Sequence, residues 1–241
     1  MRALRAGLHA RGHHAAGGVL RVHSSIPVAR GLGSSAAATV AGLSLATLAT
    51  GQSLDRGALL VHATELEGHP DNAAPALYGG LIAVARDERG APHPFLLPLA
   101  PEIGFVYAAP DVEIATPAAR AALPTAVPHA AAARMLGRMA ALVRGLQTRD
   151  VELIRLGMLD ELHVPHRLPL INGAERALEA ARATGAWGAT ISGAGSGLIA
   201  VCERAAAEPV LAALLNELGA GSVGFVAEPD LYGVRELQVA Q

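Results

Sequence analysis

Two glycines and two serines in the stretch PVARGLGSSAA, residues 27–37, could do chemistry on an anion. Gly31 and Gly33 leave the backbone bare where a ligand can approach. Ser34 and Ser35 then open an alanine-rich helical pattern whose first N–H groups have no intrahelical partner. Free donors at the positive end of a helix dipole suit a phosphate, and a serine hydroxyl there can reach a magnesium ion bridging phosphates. The chain contains no lysine, its 19 basic residues all being arginine. The G-x-x-x-x-G-K-[ST] phosphate loop is therefore excluded, and backbone donors would have to hold the anion. A tight turn capped by serine accounts for the same residues without a ligand.

A second stretch, ELEGHPDN, sets Glu65, Glu67, Asp71 and Asn72 around a Gly-Pro turn. That density of carboxylates with an amide suits a metal ion and a polar hydroxyl substrate, or else a solvated Asp-Asn turn. His69 reads there as a structural hydrogen-bonding residue. A third stretch, SGAGSG at 192–197, joins two apolar runs through Gly193, Gly195 and Gly197. A hairpin with glycines at positive φ explains it. Two glycine-rich loops with a carboxylate loop between them nevertheless suggest one polyphosphate site drawn from both halves of the chain.

The elements that must position these loops follow from periodicity. Helical spacing opens the chain over residues 2–14, and GVLRVHSSIP alternates as a strand that ends at Pro27. Helices are expected over Ser34–Ala49, closed by Gly51, and over 55–67, with Gly68, Pro70 and Pro75 breaking the pattern. YGGLIAVARDERG reads as a strand entering a turn, and PFLLPLAPEIGFVYAAP as two short strands, with a soft domain boundary near residue 98. Helices at 117–122, 129–146, 150–162 and 173–183 follow. Then come two strands around SGAGSG, a helix at 205–218 and the strand SVGFVAE. Strands and helices alternate in both halves, which argues a two-layer α+β or α/β architecture.

A chain of 241 residues with 51% hydrophobic and 17% charged residues can bury a substantial core. The net charge of −2, with 3% aromatic residues and no basic block, argues against a nucleic-acid partner. The single cysteine, Cys202, reads as a small buried hydrophobe and fits a reducing compartment. Neither a signal peptide nor an apolar run of membrane length is read, so a cytoplasmic location and no membrane association are expected.

PVARGLGSSAA, EGHPDNAAPALYGG and ISGAG resemble, in order, the three motifs of the GHMP small-molecule kinases, the middle one being most similar to homoserine kinases. TPAARAALP at 116–124 and HVPHRLPLINGAERAL at 163–178 agree with that likeness. The resemblance implies an α+β, GHMP-kinase two-domain fold. Residues 1–98 would form a ribosomal-protein-S5-like N-terminal ATP-binding domain, and 99–241 a ferredoxin-like C-terminal domain. It further implies ATP-dependent phosphorylation of the side-chain hydroxyl of L-homoserine with Mg2+ as cofactor. Carried over by position, Pro27, Arg30, Gly31, Leu32, Gly33, Ser34, Ser35, Ala36 and Ala37 would wrap the ATP phosphates, supported by Gly193, Ala194 and Gly195. Ser35, with Ser34 as the second choice, and Glu67 would hold magnesium. Asn72, Arg120 and Arg167 would bind the amino-acid substrate, with Thr116 near the transferred phosphoryl group and Asp71 as the local proton acceptor.

The sequence also departs from the family pattern. Ser196 and Asn172 stand where the family usually has proline. The family also carries an N-terminal strand motif ahead of the region matching Met1, so the first domain is expected to be short of strands and to expose a sheet edge that favours a homodimer. A sister kinase acting on threonine or mevalonate, and a noncatalytic binder of nucleotide or amino acid, share much of this pattern.

Overall fold

The computed structural model describes residues 1–14, 17–112, 114 and 116–237, with the backbone alone at 116 and 117. The chain forms two compact units that are not consecutive halves. Residues 1–26, 33–97 and 229–241 make up the first, and 27–32 with 98–228 the second.

The first unit contains α1 (Arg2–His9), α2 (Ser34–Ala49), α3 (Arg56–Glu67), α4 (Ala73–Tyr78) and an antiparallel pair, β1 (Leu81–Arg86) and β2 (Pro92–Leu97). Alanine, the best helix former, dominates the first turns of α2, and Gly51 follows its end at φ 71°. Asp55 caps α3, its carboxylate accepting from the Ala58 N–H at 3.1 Å, and Gly68 terminates it in the left-handed conformation. The core sits where α2, α3 and α4 meet. Leu43, Leu59, Leu60 and Leu77 are fully buried there, each burial contributing about 1.5–3 kcal/mol.

Two expectations are corrected here. Pro75 does not break the chain: it lies in the first turn of α4, where its missing N–H would have had no helical partner. The alternating stretch 18–26 forms no strand, and Val19 and Val22 are exposed. An alternating sequence becomes a strand only when another strand takes its ladder bonds. Among the described residues, β1 and β2 pair only with each other.

The second unit is a four-stranded antiparallel sheet in the order β4-β5-β3-β6, built from β3 (Ile103–Ala109), β4 (Ala186–Ile191), β5 (Leu198–Glu203) and β6 (Val223–Ala227). Between β3 and β4 run α5 (Thr116–Ala121), α6 (His129–Thr148), α7 (Val151–Gly157), α8 (Val164–Arg167) and α9 (Ala174–Ala183). Helix α10 (Ala207–Leu218) joins β5 to β6. With its crossovers this is the split βαβ arrangement of ferredoxin-like domains. Strand β3 lies inside the sheet and is buried along nearly its whole length. The core fills the space between the sheet and helices α9 and α10 through Val106, Leu178, Leu198, Val210 and Leu214. Helix α7 ends at Gly157, short of the expected residue 162.

Candidate functional site

In the first unit the start of α2 is open. Its N-cap is Gly33 at φ 70°, not a serine, and no side chain caps the first turn. The positive end of a 16-residue helix is thus without a side-chain acceptor among the described residues, an arrangement that suits an anion. One turn in, the Ser35 hydroxyl donates to Glu67 Oε1 at 3.1 Å, and Thr39 donates to the same oxygen at 2.6 Å. Ser35 and Thr39 lie four residues apart and share a helix face, while Glu67 arrives from the last turn of α3. Carboxylate and hydroxyl oxygens form a donor set that fits a hard cation such as magnesium. Among the described residues no group of three or more His, Cys, Asp or Glu side chains is arranged for a metal. Ser34 makes no side-chain hydrogen bond among the described residues. Thr39 was not singled out from the sequence, although its spacing from Ser35 was the available signal.

Asn72 precedes α4 at its N-cap position without a side-chain capping bond, and a β-carbon on Gly33 would stand 3.3 Å from its Cβ and Cγ, so Gly33 is where the side chain of Asn72 rests. Asp71 beside it is exposed. Its Oδ1 accepts from the Asn72 N–H at 3.1 Å and meets Nδ1 of His69. His69 is therefore a hydrogen-bonding partner, and its partner is the candidate proton acceptor. Glu65 is exposed and lies outside this cluster.

In the second unit, residues 27–32 run backbone to backbone against 192–197. Ser192 Oγ donates to Gly31 O at 2.9 Å, and Tyr107 Oη donates to Arg30 O at 2.6 Å. Arg30 itself donates to Asp111 at 3.0 Å. The glycines make the approach feasible. A β-carbon on Gly31 would fall 1.9 Å from Ser192 O, one on Gly193 3.0 Å from Gly31 O, and one on Gly197 2.4 Å from Arg30 O. Burial pushes the Tyr107 phenol up to about 12 against the opposing pull of Arg30, so it remains a donor. Ser196 is fully buried, and its hydroxyl donates to Val112 O.

Arg167 closes α8, with Nε donating to Ala119 O at 3.1 Å and Nη1 to Gly193 O at 3.2 Å. The guanidinium thus braces α5 and the glycine loop, and among the described residues Nη2 makes no hydrogen bond. Burial and the charge of Arg120 lower its pKa, while Asp160 pulls the other way. Arg120 is exposed on α5, and among the described residues no acidic side chain pairs with it. Thr116 opens α5, and its side chain lies outside the described residues. Among the described residues no helix is long and apolar enough to cross a membrane.

Comparison with known proteins gives the same order of parts. The model for the GHMP kinases N-terminal domain matches residues 1–80, and that for the GHMP kinases C-terminal domain matches 139–221. A homoserine kinase of Thermus thermophilus is 42% identical over 212 residues, covering 87% of this chain and 71% of that protein. One from Synechococcus sp. is 40% identical over 84% of this chain and 64% of its own length. The chain thus spans a little under two thirds of that relative. The crystal structure of homoserine kinase from Cytophaga hutchinsonii superposes with a TM-score of 0.80 at 33% identity, covering 87% of this chain and 69% of that one. A phosphomevalonate kinase from Streptococcus pneumoniae shares the fold at a TM-score of 0.68 and 14% identity. With glycine loop, carboxylate loop and second glycine loop in the family's order on the family's fold, the chain belongs to the GHMP kinases.

Proposed function

We propose that this chain phosphorylates the side-chain hydroxyl of L-homoserine from ATP. The observation that carries the reading is the Glu67 carboxylate gripped by Ser35 and Thr39 at the uncapped start of α2, a cation and phosphate terminus in a chain about 40% identical to proteins named homoserine kinase. Magnesium, when bound, neutralises charge on the transferring phosphates. The residues from Gly31 to Ala37 offer backbone N–H groups to those phosphates, and Ser35 and Glu67 offer oxygens to the cation.

Phosphoryl transfer asks mainly for alignment and charge stabilisation. Asn72 orients the acceptor hydroxyl, whose oxygen bonds to the γ phosphorus as the bond from phosphorus to the ADP oxygen breaks. Asp71 is the nearby carboxylate for the released proton. Retained activity of Asp71→Asn with an unchanged acidic limb of the pH profile would remove it from that role. Arg120 and Arg167 suit a carboxylate, for which the guanidinium fork is shaped.

The deciding experiment is ADP formation from Mg·ATP by this chain with homoserine, threonine, serine and mevalonate in parallel. Turnover with homoserine alone is expected, with a loss on the order of a hundredfold in Glu67→Gln. Preference for another alcohol would reassign the substrate within the family. Tight Mg·ATP binding without turnover on any acceptor would make the chain a noncatalytic binder.

A further inference from the structure

Helix α8 presents Arg167 but is poorly equipped to hold itself. It has four residues, none of them fully buried, and Pro165 and Pro169 remove two backbone donors from it and the turn that follows. So short a helix has no stability of its own. Val164 and Leu168 give it a partial apolar footing on the second core.

The remaining support converges on one carboxylate. Asp160 Oδ1 accepts from the backbone N–H groups of Leu162 at 2.6 Å and His163 at 2.7 Å, and Oδ2 meets His163 Nδ1 at 2.9 Å. His163 is the N-cap of α8, and its carbonyl accepts from the N–H groups of His166 at 3.1 Å and Arg167 at 3.0 Å. A continuous hydrogen-bonded path therefore runs from Asp160 through His163 to the backbone of Arg167, and on through its side chain to Ala119 and Gly193. The neighbouring Glu161 is already taken by Arg134 and Arg138 of α6, which anchors the loop from its other side. Three hydrogen bonds thus converge on this half-buried carboxylate.

We infer that Asp160 is a positioning residue of the kinase: it sets the first turn of α8 and so aims the Arg167 guanidinium at the amino-acid substrate. The inference rests on the reading of Arg167 given above, and neither the sequence motifs nor the family likeness singles out Asp160.

The test uses the full chain with Asp160→Ala and Asp160→Asn. The asparagine variant keeps an oxygen for the two backbone donors and guards against a misfolded alanine variant. Two readouts are taken: KM for homoserine and for Mg·ATP, and hydrogen exchange of the Arg167 Nε–H by NMR, its signal identified by its loss in Arg167→Lys. Asp160→Ala is expected to raise the homoserine KM about tenfold, leave that of Mg·ATP within about twofold, and speed Nε–H exchange at least about tenfold, with Asp160→Asn between it and wild type. Unchanged exchange in a folded variant, or equal change in both KM values, would overturn the inference. If wild type turns over no homoserine, the functional reading fails, and the Nε–H exchange still decides whether Asp160 positions Arg167.

Discussion

Gly31 has no room for a β-carbon, and Gly137 has nothing but room. The first sits at φ +77° with a backbone carbonyl oxygen 1.9 Å from where the added atom would go, and that oxygen belongs to a hairpin unable to step aside cheaply. The second lies in the middle of α6, where among the described residues nothing beyond its chain neighbours and the helix's own backbone comes within 4 Å of the same construction. Gly31→Ala is therefore expected to destabilise by at least about 2 kcal/mol, since it combines a left-handed backbone with a clash against main chain. Gly137→Ala is expected to stabilise by about 0.5–1 kcal/mol by reducing the freedom of the unfolded chain in a helix. Denaturant midpoints of the two variants check this, and equal shifts would show that the approach of 27–32 to 192–197 is not held in solution. At this scale much was legible. Gly31 and Gly193 stand out in glycine-rich loops where the backbone must come close, whereas Ser35 and Glu67 come together only through the resemblance to the GHMP kinases. Thr39, Tyr107 and Asp111 do not stand out, because a threonine in a helix, a tyrosine in a strand and an aspartate in a turn are common everywhere. Their roles depend on which neighbours the fold delivers.

Strands β3 and β5 place a phenol and a thiol in one sheet, with Cys202 paired in register with Gly104, and Tyr107 against Phe225 of β6 at 5.2 Å between ring centres. Burial, aided by the charge of Glu203, pushes the Cys202 thiol from 9.0 up to about 11, and burial raises Tyr107 from 10.0 to about 12. Both groups are neutral when protonated. The unfolded chain releases these protons at lower pH than the folded one, so their contribution is complete below about pH 9 and is lost as pH rises through the folded values. Stability toward denaturant is expected to fall between about pH 9 and 12, less steeply in Cys202→Ala, and the folded thiol should resist alkylation at neutral pH. Rapid alkylation of the native protein would refute the burial. Elements of this kind were readable because buried strands carry dense apolar runs. Helix α2 likewise agrees with the pattern from Ser34 to Ala49. What failed was context. Pro75 was taken for a break until its place in a first turn made it harmless, and residues 18–26 alternate as a strand but find no partner. Helix α8 falls outside the expected helices because its support comes from Asp160, outside its own four residues.

At the scale of the whole molecule, the chain returns to its first unit after completing the second, and the returning segment is built into that unit rather than draped over it. The Gly80 N–H donates to Asp230 O at 2.6 Å, and the Val234 N–H to Leu77 O at 3.2 Å. Arg56 of α3 donates to the carbonyls of Tyr232 and Val234, each at 3.2 Å. The fit is main chain on main chain: a β-carbon on Gly79 would lie 2.4 Å from Tyr232 N, and one on Gly233 2.4 Å from Leu77 O. Asp230 holds the turn itself, accepting from the Tyr232 and Gly233 N–H groups, which keeps its carboxyl below the usual range even though slight burial works against the charge. Nothing in a linear reading ties residues 230–234 to the end of α4, because the pairing joins positions 150 or more apart through backbone atoms that every residue possesses. Removing residues 229–241 should therefore loosen α3 and α4, the helices that carry Glu67 and follow Asn72, without touching the four-stranded sheet. Amide hydrogen exchange is expected to speed up over residues 56–80 while β3 and β5 keep their protection, and Gly233→Ala should produce a weaker version of the same pattern. Uniform loss of protection across both units would mean that they unfold as one, and unchanged protection over 56–80 would mean that the returning segment contributes no stability to α3 and α4.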